Sequence, residues 1–403
     1  MGDAEQAIIK VAQALDEVDA AEWDACANPA GEPYNPFVSH AFLSALEESG
    51  SATRRTGWMP YHLLLEDGQG GLAGCMPMYL KSHSRGEYVF DHGWADAYER
   101  AGGQYYPKLQ VSVPFTPATG PRLLTKPGPG REPAEDRLIA GALEVARRTG
   151  VSSLHFTFLP ERQWRKLGAR GLLQRTDQQF HWHNHDYRSF DDFLADLSSR
   201  KRKMIRKERE RALEADIEIE WATGETLTED HWDAFFAFYM DTGSRKWGSP
   251  YLTRKFFSLI NERMPERTLL VMAKRRGRYI AGALNFIGGD ALYGRNWGAI
   301  EHHPFLHFEC CYYQAIDFAI ARGIPRVEAG AQGEHKLARG YLPSRTYSAH
   351  WIANASFRDA VAEYLNRERL HVERDIEVLG EYSPFRHDLA HDPASAEIRE
   401  DDF

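Results

Sequence analysis

The chain has 403 residues, 43% of them hydrophobic and 27% charged, with a formal net charge of −9. That length accommodates two or three domains, each with its own core, in a composition typical of soluble globular proteins. The acidic balance argues against a surface built throughout to wrap nucleic acid, yet leaves room for a local basic groove.

Residues 8–23 place Ile8, Val11, Ala12, Leu15 and Val18 on one helical face, which predicts a helix. Asn35-Pro36-Phe37-Val38-Ser39 breaks the pattern, and Ser39 stands where it would cap a helix over 41–48. Segments 61–66 and 72–81 flank Asp67-Gly68-Gln69-Gly70-Gly71, a strand–turn–strand signal. An aromatic segment comes next over 88–121, then a helix over 132–149 and a strand over 151–159.

The second half repeats that order. Segments 269–274 and 279–287 flank Arg275-Arg276-Gly277-Arg278, and 292–297 reads as a further strand. A helix over 308–321 and a strand over 326–329 complete it. Local echoes support a repeat: Leu72-Ala73-Gly74-Cys75-Met76 matches Ile280-Ala281-Gly282-Ala283-Leu284, and Ala146-Arg147-Arg148-Thr149-Gly150-Val151 matches Ala319-Ile320-Ala321-Arg322-Gly323-Ile324. The expected class is α/β (α+β), a mixed twisted sheet flanked by helices, present twice. The expected domains are 1–188, with an insertion at about 88–121, and 189–386, opening on a basic helix. The acidic tail 387–403 is expected to be disordered.

Four cysteines lack CxxC spacing, so neither a zinc ribbon nor a disulfide framework is expected. The N-terminus has no cationic flank before an apolar core, and no run approaches the roughly 18 apolar residues of a membrane span. A cytoplasmic location is expected.

The richest stretch chemically is Gly330-Ala331-Gln332-Gly333-Glu334-His335-Lys336-Leu337-Ala338-Arg339-Gly340-Tyr341. Glycines at a strand end let the backbone turn sharply and approach a ligand. Between them stand a carboxylate, an imidazole, an ammonium and a guanidinium. Glu334 and His335 are proton-handling candidates, and in an extended turn only one of two neighbours reaches a given side. A Gly-rich turn carrying solvated charges is the plain alternative.

Segment 200–211 carries eight basic and two acidic residues, and on a helix Lys203, Arg206 and Lys207 share a face suited to phosphates. A solvated charged helix is the usual reading of such a run. Tyr105-Tyr106-Pro107-Lys108, Arg245-Lys246-Trp247 and Arg295-Asn296-Trp297 combine rings with cationic donors, as a ligand cleft does. Asp91 is a candidate to recognise an amine, and Glu309 is a carboxylate within an apolar helix start. His181, His183 and His185 alternate, but without a second ligand pair they point to packing, and no metal is expected. No nucleophile elbow, Walker loop or HExxH is present.

Taken together, several strings resemble the FemAB-like acyltransferases of the GNAT superfamily in its double-domain form. They are Gly86-Glu87-Tyr88-Val89-Phe90-Asp91, Tyr105-Tyr106-Pro107-Lys108-Leu109-Gln110, Pro114-Phe115-Thr116-Pro117, Gln179-Phe180-His181-Trp182, the 200–209 run, Arg245-Lys246-Trp247-Gly248, Tyr293-Gly294-Arg295-Asn296-Trp297-Gly298, His307-Phe308-Glu309 and the 330–341 motif. The resemblance covers about 35–386. It implies two GNAT-like domains and transfer of an acyl or aminoacyl group to an amine, on a peptidoglycan-precursor-like acceptor. It also implies acyl-CoA or aminoacyl-tRNA as co-substrate, with no tightly bound cofactor and with tRNA as a partner in the second case.

By the same resemblance Lys336 is the donor-site lysine that stabilises the oxyanion, with Glu334 and His335 beside it. Asp91, Tyr105, Tyr106, Lys108, Arg245, Trp247, Arg295, Trp297, Glu309 and Arg339 are the expected substrate contacts, and Lys203, Arg206 and Lys207 the expected phosphate or donor contacts. One departure stands out: acetyl-CoA users carry a Gly-rich pyrophosphate loop before the central helix, and here that stretch is Glu301-His302-His303-Pro304-Phe305-Leu306-His307. A non-catalytic module binding cell-wall fragments or tRNA on the same scaffold is the alternative.

Overall fold

The computed structural model describes residues 8–246, 250–330 and 333–386. The chain forms two compact units, neither of them a single run of sequence. The first comprises 1–177, 251–263 and 346–371; the second comprises 178–250, 264–345 and 372–403.

The strands in chain order are β1 (Ile9–Ala12), β2 (Trp58–Pro60), β3 (His62–Glu66), β4 (Leu72–Met76), β5 (Met78–Lys81), β6 (Lys108–Val111), β7 (Leu124–Thr125), β8 (Ser153–Leu159), β9 (Leu173–His183), β10 (Ile217–Thr223), β11 (Thr268–Arg275), β12 (Arg278–Ile287), β13 (Ala291–Ala299), β14 (Arg326–Glu328) and β15 (Leu342–Ile352).

In the first unit, β1, β3, β4 and β7 form an antiparallel sheet, and β2, β5, β6, β8 and the 346–352 part of β15 form a mixed one. Within the mixed sheet only β6 and β8 run parallel. The helix Arg131–Thr149 leads into β8 and ends on Gly150 at φ 66, a left-handed cap that glycine adopts without strain. Leu109, Val111, Leu154, Phe156 and Ala349 point to the side where that helix packs and form an apolar core.

The residues that alternate with them are polar. Trp58, Lys81 and Lys108 lie side by side on β2, β5 and β6, and Tyr79, Gln110, His155 and His350 form the next row across β5, β6, β8 and β15. The segment between β5 and β6 covers this polar face, so it is buried as fully as the apolar one.

In the second unit the order is β10-β11-β12-β13-β14-β9, antiparallel except for β13 and β14. β11 and β12 are joined through Arg276 at φ 51 and Gly277 at φ 74, the two positive φ values of a tight hairpin. The helix Gln314–Arg322 leads into β14 and, like its counterpart, ends on a left-handed glycine, Gly323 at φ 64. Each unit therefore runs hairpin, strand, crossover helix, parallel strand. The mixed α/β arrangement expected from the sequence is the one found.

Two expected elements are different. The stretch 72–81, expected as one strand, is two strands, β4 and β5, which join different sheets. Residues 8–23 form β1, a 3-10 turn and the helix Ala20–Ala27 instead of one helix. Ile9 and Val11 alternate as well as they spiral, and β1 finds a partner in β3, Ile9 facing Leu65. Asp19 starts the helix by accepting from the Glu22 amide.

Candidate functional site

In the second unit, β14 pairs with β13 over only three residues, Tyr293 opposite Glu328 being the last. β13 then continues along β12, while the other chain leaves through Gly330 at φ 80. The turn beyond needs its glycines. Gly333 has φ 114, and a Cβ there would stand 2.4 Å from the His335 ring. Gly340 has φ 91, and a Cβ there would stand 2.7 Å from Phe193.

Between these glycines the 3-10 helix Glu334–Arg339 turns the Lys336 side chain inward. Lys336 is 2% exposed, and its Nζ donates to the Gly330 carbonyl at 2.9 Å. Among the described residues no carboxylate pairs with it. Burial pushes its ammonium pKa down to about 8, only partly offset by the nearby Cys311 thiol.

Around Lys336 the supports are fixed. Arg339 reaches both carboxylate oxygens of Glu208, at 2.8 and 3.0 Å, donates to the His335 carbonyl at 2.6 Å, and lies 3.5 Å above the Phe308 ring. It ties the turn to the helix Ser199–Leu213. His335 Nε2 meets the Tyr312 hydroxyl at 2.9 Å, and burial together with the charges of Arg339 and Lys336 depresses its pKa. Tyr312 belongs to a π turn, Glu309–Tyr313, an irregularity that helices tolerate chiefly at functional places.

Glu328 ends the strand leading into this turn. It is 3% exposed; its Oε1 accepts from Arg326 Nε at 3.1 Å, while Oε2 has no hydrogen-bond partner among the described residues and lies 3.8 Å from His181 Nε2. Burial raises its carboxyl pKa to about 7 against the opposing charge of Arg326. A carboxyl that changes charge near neutral pH, in the strand that feeds a buried lysine, can act as a base.

In the first unit, the polar face holds a second buried lysine. Lys108 Nζ donates to Ser84 Oγ at 2.7 Å, Glu87 Oε2 at 2.7 Å and Asp91 Oδ2 at 2.5 Å, so all three of its protons are used. Burial alone would lower its pKa, but the charges of Glu87 and Asp91 outweigh burial and hold it above the usual lysine value. Tyr105 donates to Asp91 at 2.7 Å, and Tyr106 meets Ser84 at 2.8 Å. His155 and His350 share a hydrogen bond between their Nδ1 atoms at 2.7 Å and are kept uncharged by burial. Lys81 lies 3.4 Å over the Trp58 ring, and its pKa is pushed down by burial to about 6.

The sequence profile of the FemAB-like family, described as peptidoglycan biosynthesis/recognition, matches residues 14–387. The chain belongs to the FemAB-like family. Its structure resembles that of FemX at a TM-score of 0.54 and 12% identity, over 86% of this chain and 98% of FemX. It also resembles the C-terminal domain of a putative lysylphosphatidylglycerol synthetase from Agrobacterium fabrum, at 0.51 and 10% identity over 80% and 96% of the two chains. L-PGS from Bacillus licheniformis matches at 0.50 and 10% identity over 83% and 98%. At such identities the likeness shows the fold. No curated protein matches.

This FemAB-like chain gathers its sequence candidates into two groups, one in each unit. Asp91, Tyr105, Tyr106 and Lys108 form one hydrogen-bonded cluster in the first unit. Lys336, His335 and Arg339 share the glycine turn in the second, and Trp297 on β13 stands edge-on to His307 at 5.3 Å. Arg295 lies on β13 just beyond its pairing with β14, and its charge acts on Glu328. Glu309 is fully buried and committed to Arg209 and Gln314, at 2.8 and 2.7 Å. Lys203, Arg206 and Lys207 share the exposed side of their helix, and Arg206 reaches Asp191 at 2.9 Å. Arg245 stands in the last turn of the helix Glu229–Lys246; Trp247 and the side chains of Arg245 and Glu334 lie outside the described residues.

The histidines His181 and His183 share a face of β9, their ring centroids 6.5 Å apart. Among the described residues no group of three potential metal ligands forms, and no helix is long and apolar enough to cross a membrane. Sequence reasoning misses Glu328, whose one signal is a lone acid in a short apolar strand, two residues from an arginine. It also misses Lys81, Glu87, His155 and His350. Ser153, His155 and Thr157 do alternate with Leu154, Phe156 and Phe158, which marks a strand with a polar face. Nothing local says that this face is covered.

Proposed function

We propose that this protein is an N-acyltransferase that moves an acyl or aminoacyl group from an activated, phosphate-bearing donor to an amine. The observation that carries the proposal is Lys336, a buried ammonium with one backbone acceptor and no carboxylate partner among the described residues, at the end of a glycine turn. A cation held dry without a counter-charge is preorganised for a negative charge that appears only when ligand is bound or reacting.

In the proposed reaction the amine nitrogen attacks the donor carbonyl carbon, and the electron pair of the carbonyl moves to oxygen opposite the Lys336 ammonium. Glu328 takes the proton that the amine nitrogen loses. The tetrahedral centre then collapses, the bond to the leaving group breaks, and the leaving group takes up a proton through His335, which is hydrogen-bonded to Tyr312. The family description favours an amine of a peptidoglycan precursor as acceptor. The putative lysylphosphatidylglycerol synthetase, by its name, favours an aminoacyl donor, and the glycine-free stretch 301–307 weighs against an ordinary acetyl-CoA cradle.

The test is turnover of Lys336→Ala with acetyl-CoA and with aminoacyl-tRNA as donors against a panel of amine acceptors. A loss of about 10²–10³-fold in kcat, with donor affinity held within a few-fold, is the expected result. Undiminished kcat in the variant would overturn the role given to Lys336.

A further inference from the structure

The helix Ser199–Leu213 carries Arg200, Lys201, Arg202, Lys203, Arg206, Lys207, Arg209 and Arg211 against Glu208 and Glu210. Its inward side is spent on the fold: Ile205 and Ala212 are in the core, Glu208 holds Arg339 and Arg209 holds Glu309. Its outward side keeps Arg200, Lys203, Arg206, Lys207 and Arg211 exposed. Of these only Arg206 has an acidic partner among the described residues, the exposed Asp191. A solvated face is the ordinary fate of such a run. Two further observations make this one different.

The first is the path of the C-terminal chain. Phe385 bridges to Leu197, the Ser198 amide donates to the Pro384 carbonyl at 3.0 Å, and the Arg386 amide donates to the Asp196 carbonyl at 3.0 Å. The C-terminal segment is therefore anchored against the residues that immediately precede the basic helix. The second is the charge of the residues beyond that anchor. Residues 387–403 hold Asp388, Asp392, Glu397, Glu400, Asp401 and Asp402 against a single Arg399. Those residues can extend up to about 55 Å, whereas the helix is about 22 Å long. An acidic segment tethered beside a basic face, with reach to spare, meets that face at a high effective concentration.

We infer that the segment 387–403 docks on the exposed basic face of the helix Ser199–Leu213 and holds it until a polyanion displaces it. The segment acts as an internal stand-in for phosphates. It screens Lys203, Lys207 and Arg200 from weak or nonspecific polyanions and yields to one that binds with several phosphates at once. Because the contact is ionic and exposed, salt weakens it. The inference concerns the occupancy of this face and does not require that the protein transfer acyl groups.

Zero-length carbodiimide coupling of the full chain, read by mass spectrometry, tests the contact. Amide links within one chain from the acids of 388–402 to Lys201, Lys203 or Lys207, present at about 50 mM NaCl and lost at about 0.5 M, are expected. The competition is read with a labelled 15-nucleotide oligouridylate. Ending the chain at Arg386 should tighten binding about tenfold at the lower salt, the gain should vanish at the higher salt, and adding the 387–403 peptide should reverse it. In a chain carrying Lys203→Ala and Lys207→Ala the same truncation should gain at most about twofold. Absence of those links, or a truncation gain that survives the double substitution, would overturn the docking. Neither readout involves acyl transfer, so its failure is separate from failure of the proposed activity.

Discussion

Lys108 and Lys336 are both almost completely buried, and they are buried in opposite ways. Lys108 spends its three protons on Ser84, Glu87 and Asp91, and its charge is answered within the first unit. Lys336 spends one proton on the Gly330 carbonyl, and its charge is answered by no carboxylate among the described residues of the second. The same side chain therefore has its pKa raised in one place and pushed down to about 8 in the other. Burial by itself does not mark a functional lysine. A buried cation whose partners are already present holds the fold together, whereas one without them carries a cost that a ligand can relieve.

The largest effect expected from this contrast is at Lys108. Replacing it with methionine leaves Glu87 and Asp91 buried without their cation, and should cost about 3–5 kcal/mol in urea unfolding. A loss below about 1 kcal/mol would mean that the first-unit cluster is not held by this pair of contacts.

A smaller effect separates the polar face from the rest of the core. The native state holds the His155 imidazole at about 3 and that of His183 at about 4, both through burial, while an unfolded histidine titrates near ~6.5. Between those values the unfolded chain binds protons that the folded chain refuses, so stability should fall as pH drops below about 6.5. The urea midpoint should decline from pH 6.5 to 4, and His155→Gln should flatten part of that slope. An unchanged slope in the variant would remove His155 from the account.

The sequence is legible where local chemistry decides the structure. Ser39 caps the helix His40–Glu48 by accepting from the Phe42 amide, and the Asp67 carboxylate ties its turn by accepting from Gln69 and Gly71. Gly333 and Gly340 sit where a side chain would collide. The strand β1 reads as helix because a short apolar stretch fits both periods, and its partner β3 lies about fifty residues away. Glu328, Lys81, His155 and His350 are hidden for a related reason. Their interest comes from being buried together, and burial of the polar face depends on Glu87 and Asp91 folding back over strands that the sequence pattern alone shows as half-polar.

The most direct test of the contrast between the two lysines is the unfolding free energy of Lys336→Met against the unaltered protein, from pH 7 to pH 10. With a native pKa near 8 and an unfolded value near 10.5, Lys336 costs the fold most below pH 8, and the cost fades as pH rises towards 10.5. The account predicts a variant at least as stable as the unaltered protein at pH 7, by on the order of 1 kcal/mol, with the advantage shrinking towards pH 10. A variant that loses about 3 kcal/mol or more at pH 7, as Lys108→Met should, would show that Lys336 is an ordinary structural cation.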